Sequence, residues 1–268
     1  MKRIFTFILV IITLFSLTSC KKEHDENTIV IGASLTPHKE ILEQARPLLK
    51  ELGYELEIEV YDDYILPNIA LVEETVDANY FQHTYYLNDY NKGNGTNIVS
   101  AGIIHYEPMG IYGKNISNLS DAKGKIYIPN DGTNQSRALK LLAENGLIEV
   151  KKYDDPSILL TTYDITNKKG FDIVPVDADL VPTFLNDGNN GYIAVINGNY
   201  ALEANIDITS ALASESSEGD AKTIYGNIIA VRSGDENSPK IQALISVLKS
   251  DTIKNYILKT YKNAVLPA

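Results

Sequence analysis

Cysteine is almost missing from this chain: among 268 residues only Cys20 carries a thiol. An intrachain disulfide is excluded, and so is a metal centre built on cysteine. Histidine is scarce as well. His24, His38, His83 and His105 are far apart in sequence, with none of the close spacing that metal-binding pairs show, so no metal is expected. Catalytic signatures are lacking too. There is no G-x-S-x-G elbow, no P-loop and no H-E-x-x-H. The acidic pairs Asp62-Asp63 and Asp154-Asp155 are adjacent, and neighbours along a strand point to opposite faces, which suits acid–base partners poorly. Neither an enzyme nor a cofactor is expected. Positive charge is in deficit, with 24 Lys and Arg against 35 Asp and Glu and a formal charge of −11. Such a surface argues against nucleic acid as a partner.

Long apolar runs are confined to one place, Ile4 to Leu17, which is shorter than the roughly 20 residues of a membrane span. It follows Lys2-Arg3 and ends in Leu17-Thr18-Ser19-Cys20. A basic start, an apolar stretch and small residues before a cut site predict an export signal over residues 1–19. The last four residues also fit a lipobox, which makes Cys20 the lipid attachment point. An ordinary signal with an incidental cysteine is the alternative. Two or three acyl chains at Cys20 anchor a protein stably where one would not. Residues 20–27 then form a lipidated, charged tether to a body on the outer face of the cell membrane.

From Thr28 onward the chain alternates. Thr28–Ala33 predicts a strand, Pro37–Leu52 a helix closed by Gly53, and Leu56–Tyr61 a second strand, a βαβ unit of a parallel sheet. Pro67–Val76 predicts a helix and Ala78–Phe81 a strand. One long strand is expected from Ile98 through Tyr112. Lys125–Ile128 predicts a strand, Ser136–Asn145 a helix, and 173–176 and 193–196 two more strands. Thr223–Arg232 predicts another long strand, with helices at 239–249 and 252–260. The two long strands would cross between two α/β lobes: residues 28–107 with 226–268, and residues 108–225. An exported α/β protein of this kind has the architecture of a solute-binding protein, with a ligand cleft between its lobes.

Several residues stand out for chemistry. Arg137 is expected in the first turn of its helix, where free N–H groups and a guanidinium make a carboxylate site; a surface salt bridge is the alternative. Tyr80 to Tyr86, flanked by Tyr64 and Tyr90, is dense in rings. These build either core or an aromatic wall for an apolar or thioether group. His83 is a core histidine, a ligand donor or a metal ligand. Asn197-Gly198-Asn199 reads as a turn with Asn199 capping the next helix, or as an amide site for a zwitterion. Asn227 interrupts an apolar strand and needs a partner if buried.

On Pro37-His38, Glu40-Ile41-Leu42, Asp63-Tyr64, Asp77-Ala78-Asn79, Phe81-Gln82-His83, Glu107 to Tyr112, Ile128 to Asp131, Asn134, Arg137-Ala138-Leu139 and Ala194 to Leu202, the chain resembles the methionine-binding lipoproteins of bacterial ABC uptake systems. The resemblance runs from Ile29 to Pro267. It implies a two-lobed, type II periplasmic-binding fold that closes on one amino acid. It further implies that Arg137 binds the ligand carboxylate and that Asn197 and Asn227 bond the amino-acid backbone. Tyr64, Phe81, His83 and Tyr86 would surround the side chain. L-Methionine and an ABC permease are the implied partners. D-Methionine, a methionine-containing dipeptide and another apolar amino acid are alternative ligands, and a surface interaction protein without transport is the rival role. The chain departs from the family pattern at Tyr85, where proline is usual, at Asn186–Tyr192, and at Ser214–Thr223.

Overall fold

The computed structural model describes residues 25–155, 157–216 and 221–268. The expected signal and Cys20 lie outside the described residues, as does most of the tether. Strand β1 (Thr28–Ala33) is buried along nearly its whole length, as a central parallel strand covered on both faces must be. Helix α1 (Glu40–Glu51) buries Ile41, Leu42, Ala45 and Leu49, one apolar stripe at helical spacing. It starts later than its sequence pattern predicts. Thr36, which precedes a proline, is extended, and the Thr36-Pro37 peptide is cis; a residue before proline is disfavoured in helical conformation. Gly53 closes the helix with φ +87°.

Strand β2 (Glu55–Val60) runs parallel to β1. Helix α2 (Leu66–Val72) stops short of the expected Val76, because the Thr75 N–H and hydroxyl both donate to the Ala70 carbonyl. Strand β3 (Ala78–His83) is fully buried and longer than predicted. Helix α3 (Thr84–Asn94) has no counterpart in the sequence expectations; Leu87 is its one buried residue, so no apolar stripe announces it.

The expected long strand is two strands. β4 (Ile98–Tyr106) and β5 (Gly110–Gly113) are separated by Glu107-Pro108-Met109. Proline has no N–H for a ladder, and the two strands pair in different sheets. Strand β6 (Lys125–Pro129) leads into helix α4 (Gly132–Glu144), which begins four residues before its predicted start. The short β7 (Glu149–Val150) and β8 (Ile165–Thr166) form a two-stranded ribbon. Then come β9 (Asp172–Val176), α5 (Val181–Asn186), β10 (Ile193–Ile196), α6 (Gly198–Glu203), β11 (Ala213–Ser214) and the single-turn α7 (Ala221–Ile224). Strand β12 (Gly226–Arg232), α8 (Pro239–Leu248), α9 (Asp251–Tyr261) and β13 (Leu266–Pro267) complete the chain. The second expected crossing strand is therefore absent as such: β12 lies wholly within one sheet, and the crossing is made by the segment between β11 and β12.

The first sheet has the order β13-β4-β12-β3-β1-β2, and the second β11-β5-β10-β6-β9. Both show strand alternation. Ile29, Ile31, Ile229 and Val231 pack under α1, α8 and α9, while Val30, Ile228 and Ala230 face Leu71 and Leu87. In the second sheet Ile126, Ile128, Ile193 and Val195 pack under α4, while Tyr127, Ala194 and Ile196 face Val181, Leu185 and Tyr200. The result is a two-lobed α/β fold. Between the lobes, the carboxyl ends of β1, β3, β6 and β10 meet the junction after β4 and the start of β12. Open α/β sheets place ligands at such strand ends.

Candidate functional site

The lobes touch across this cleft. Tyr64 Oη donates to Asn199 Oδ1 at 2.5 Å, and Tyr200 Oη donates to the Asp62 carbonyl at 3.1 Å. The cleft is lined by Tyr64, Phe81, Gln82, His83, Tyr86, Glu107, Asn134, Arg137, Asn197, Gly198, Asn199 and Asn227. All seven non-lipid residues singled out in the sequence line it. Gln82, Glu107, Asn134, Gly198 and Asn199 join them.

One wall is aromatic. The Tyr64 ring lies 5.8 Å from Phe81, 5.9 Å from Tyr86 and 4.9 Å from Tyr200, between centroids. Tyr86 Oη donates to the Tyr64 backbone carbonyl at 2.8 Å, which fixes the Tyr86 ring, while the Tyr64 ring is held through its own hydroxyl to Asn199. His83 closes β3 and caps α3: its Nδ1 accepts the Tyr86 N–H at 2.9 Å. That leaves the proton on Nε2, which faces Asn134 Oδ1 at 3.3 Å. Burial, then the nearby Arg137 charge, holds the His83 pKa down to about 3, so the ring is neutral.

The opposite wall is amide-rich. Asp131 caps α4 by accepting the Asn134 N–H, and its carboxylate also takes both contacts of Asn134 Nδ2, at 3.0 and 3.1 Å. Asn134 Oδ1 is thereby turned toward the cleft, where Asn197 Nδ2 donates to it at 3.0 Å. The expected cap of α6 is Asn199, but Asn197 holds that position, with its side chain bonding across to Asn134 rather than to its own helix. Asn197 Oδ1 and Asn199 Nδ2 are buried without a hydrogen-bond partner among the described residues. One acceptor and one donor thus sit unpaired in the pocket lining, where burial without a partner costs roughly 1–3 kcal/mol each.

Arg137 corrects an expectation. It is the sixth residue of α4, past the first turn that carries the free N–H groups. Nor is it a surface charge. It is buried, and Nε and Nη2 each donate to Glu215 at 2.6 Å in a two-pronged ion pair. Nη2 also donates to the Glu107 carbonyl at 2.9 Å, and the guanidinium carbon stands 4.4 Å from the centre of the Tyr225 ring. Burial would lower its pKa, but the charge and hydrogen bonds of Glu215 outweigh burial and raise it. The cation is permanent.

Behind the pocket the fold assembles a cluster that linear spacing does not reveal. His38, His105 and Glu107 hold metal-ligand-type atoms within 4.8 Å of one another. Those atoms already serve a hydrogen-bonded chain. Tyr80 Oη meets His105 Nδ1, His105 Nε2 meets Glu107 Oε1 at 2.6 Å, and His38 Nε2 meets Asn227 Oδ1 at 3.0 Å. With Tyr80 donating to Nδ1, His105 carries its proton on Nε2 and donates to the carboxylate. Asn227, expected to need a partner, finds it in His38. Burial pushes the Glu107 pKa up to about 7, against the opposing pull of His38 and Arg137, and pushes His38 down to about 4 and His105 to about 3. Glu107 is the ionisable pocket residue that sequence reasoning missed; its only signal was its place before Pro108 in the family stretch.

Residues 29–268 match the NlpA lipoprotein family. The chain is 38% identical over 276 residues to the methionine-binding lipoprotein MetQ of Bacillus subtilis, covering 100% of this chain and 99% of that one. It is 33% identical over 256 residues to the D-methionine-binding lipoprotein MetQ of Salmonella typhi, covering 94% and 92%. Among solved structures, a nutrient binding protein from Burkholderia cenocepacia bound to methionine superposes with a TM-score of 0.84 at 35% identity, covering 90% of this chain and 99% of that chain.

The buried imidazoles set an acid limit on stability. As pH falls through 6.5 the unfolded chain protonates three histidines that the fold keeps neutral down to about 4 or 3, so stability is lost. Glu107 opposes this between pH 7 and 4.5, because the folded state holds its proton more tightly. The three imidazoles outnumber the one carboxyl, so the unfolded chain binds more protons and stability falls with pH below pH 6. Thermal unfolding followed from pH 7 to 4 is expected to show a falling midpoint already by pH 5.5. A flat profile down to pH 5 would mean these rings are not held neutral.

Proposed function

The chain belongs to the NlpA lipoprotein family, and from that premise we propose that it is a lipid-anchored receptor that captures methionine and delivers it to an ABC importer. The observation that carries this reading is the pairing, within one small pocket, of a permanent cation and an ionisable carboxyl beside an aromatic wall. A zwitterionic amino acid matches that set. Its carboxylate would meet Arg137, with Asn197 and Asn199 offering their unpaired amide atoms to its polar end. Its ammonium would meet Glu107, with Asn227 beside it. An unbranched thioether would lie against Tyr64, Phe81 and Tyr86, with the His83 ring at one edge; sulfur–ring contacts are worth about 0.3–1.5 kcal/mol.

The lobes would open and close about the junctions near residues 107–108 and 225–226, driven by contacts that ligand makes to both lobes only when closed. Lipid at Cys20 would hold the receptor on the outer face of the membrane, near its permease. Among the described residues no helix is long and apolar enough to cross a membrane.

Calorimetry on delipidated protein, cleared of prebound ligand by unfolding and refolding, is expected to show one site for L-methionine; titration with D-methionine ranks the enantiomers. Heat from neither would sink the ligand assignment. Arg137→Ala should weaken binding about 100-fold or more, the ~3 kcal/mol scale of truncating a buried, hydrogen-bonded charge pair, with helical circular dichroism retained. Glu107 sets the pH profile. The ammonium requires the ionised carboxylate, so affinity is expected to hold above pH 7 and to fall toward tenfold per unit below it. An affinity unchanged from pH 8 to 5.5 would remove Glu107 as the ammonium's partner. Cys20→Ala should bind methionine as the unmodified protein does, yet support little uptake by cells; weakened binding by the purified variant would contradict this separation of roles.

A further inference from the structure

Glu215 lies on the segment that returns from the second sheet to the first, directly after β11 (Ala213–Ser214). Its side chain is 11% exposed and its carboxylate is fully engaged. Oε1 accepts from Arg137 Nε at 2.6 Å. Oε2 accepts from Arg137 Nη2 at 2.6 Å, from the Met109 N–H at 2.9 Å and from the Tyr106 hydroxyl at 3.0 Å. These partners come from three places: helix α4 of the second lobe, the last residue of β4 in the first lobe, and the crossing between β4 and β5. Arg137 is tied to that same crossing through the Glu107 carbonyl. One edge of the guanidinium is thus consumed by the two inter-lobe connections. Its Nη1 donates no hydrogen bond among the described residues, and the residue lines the pocket.

We infer that Glu215 is a positioning residue for ligand-carboxylate recognition: from the second inter-lobe crossing it fixes which edge of Arg137 faces the ligand, and so couples that recognition to the hinge. The inference rests on the amino-acid reading of the pocket. A guanidinium offers carboxylates two forked edges. With the Nε edge held by Glu215, a ligand carboxylate can be met only at the Nη1 end, in one orientation. All four contacts to Glu215 are donors, so the conservative amide cannot reproduce them; a glutamine would turn an N–H₂ toward other N–H groups. Rotating the lobes moves Tyr106 and Arg137 relative to each other, and Glu215 is the side chain that bonds both.

The test compares L-methionine with L-methioninol, which keeps the ammonium and the thioether and replaces the carboxylate by an alcohol. Affinities for both are measured by calorimetry on the full mature protein and on Glu215→Gln. The expected result is that the preference for methionine over methioninol falls at least tenfold in Glu215→Gln, while affinity for methioninol changes less than threefold. A purely structural ion pair would instead lower both affinities together or neither, leaving the preference intact, and either outcome overturns the inference. If Glu215→Gln does not fold, Tyr106→Phe removes one donor to Oε2 and leaves both Arg137 contacts in place. It is expected to lower the same preference two- to fivefold, and an unchanged preference there also overturns the inference. Failure of the unmodified protein to bind methionine at all defeats the amino-acid reading and this inference with it. Binding with an unshifted preference in the variants defeats this inference alone.

Discussion

The cleft depends on burying one guanidinium. Arg137 is 5% exposed, and taking such a cation out of water costs several kcal/mol unless charge and hydrogen bonds replace the lost hydration. The fold supplies these from unusually scattered sources. Glu215 gives two charged acceptors, the Glu107 carbonyl a third, and Tyr225 the face of a ring. Each comes from a segment that joins the lobes or adjoins such a segment. Holding the cation therefore requires the two crossings to sit side by side, and the lobes cannot be placed independently of it. Removing one partner would leave an unpaired buried charge, the situation that destabilises most.

A second buried set balances the first. His38, His105 and Tyr80 surround Glu107 from the first lobe, while Gly198 presses against it from the second. A Cβ at Gly198 would lie 2.7 Å from that of Glu107, so the close approach of α6 needs glycine there. The imidazoles stay neutral because neither has room for hydration, and a neutral His105 can donate one proton to the carboxylate and accept one from Tyr80. The arrangement orients Glu107 without giving it a permanent counter-charge. Its carboxyl is left poised near neutrality, unlike Arg137, whose counter-charge is built in.

Much of the fold was legible in the sequence because burial writes itself as periodicity. β1, α1, β6, β10 and α8 each bury a stripe or run that can be read directly. α3 was not legible: a helix with a single buried leucine, begun by a histidine cap, has almost no apolar pattern. The break at Glu107-Pro108 was visible as a proline but not as a change of sheet, since pairing partners are distant in sequence. For the site, resemblance named seven lining residues, and side-chain chemistry alone favoured none of them decisively. Glu107 and Glu215 were illegible for another reason. Burial of a glutamate is unusual, and nothing local marks it. Glu107 is buried by His38 and by the Asn199 region, Glu215 by Arg137, each far along the chain. Of the three departures from the family pattern, Tyr85 and the 186–192 loop lie away from the pocket lining, whereas the third holds Glu215.

Charge arithmetic in the closed site then limits what it can hold. Arg137 and Glu215 cancel, and Glu107 near neutrality is either uncharged or singly negative. An anionic ligand would add an uncompensated charge beside Glu215. A cationic one would find Glu107 but leave the Nη1 end of Arg137 without an acceptor. The proposed zwitterion would add no net charge: its carboxylate would share the Arg137 cation with Glu215, and its ammonium would supply the counter-charge that ionised Glu107 lacks. Each of those pairings spans the lobes or the crossings between them. The two ends of the proposed ligand would therefore meet unequal needs: Arg137 already holds a counter-charge in Glu215, whereas Glu107 has none, and in a low-dielectric cleft the ammonium is the end whose loss would cost more.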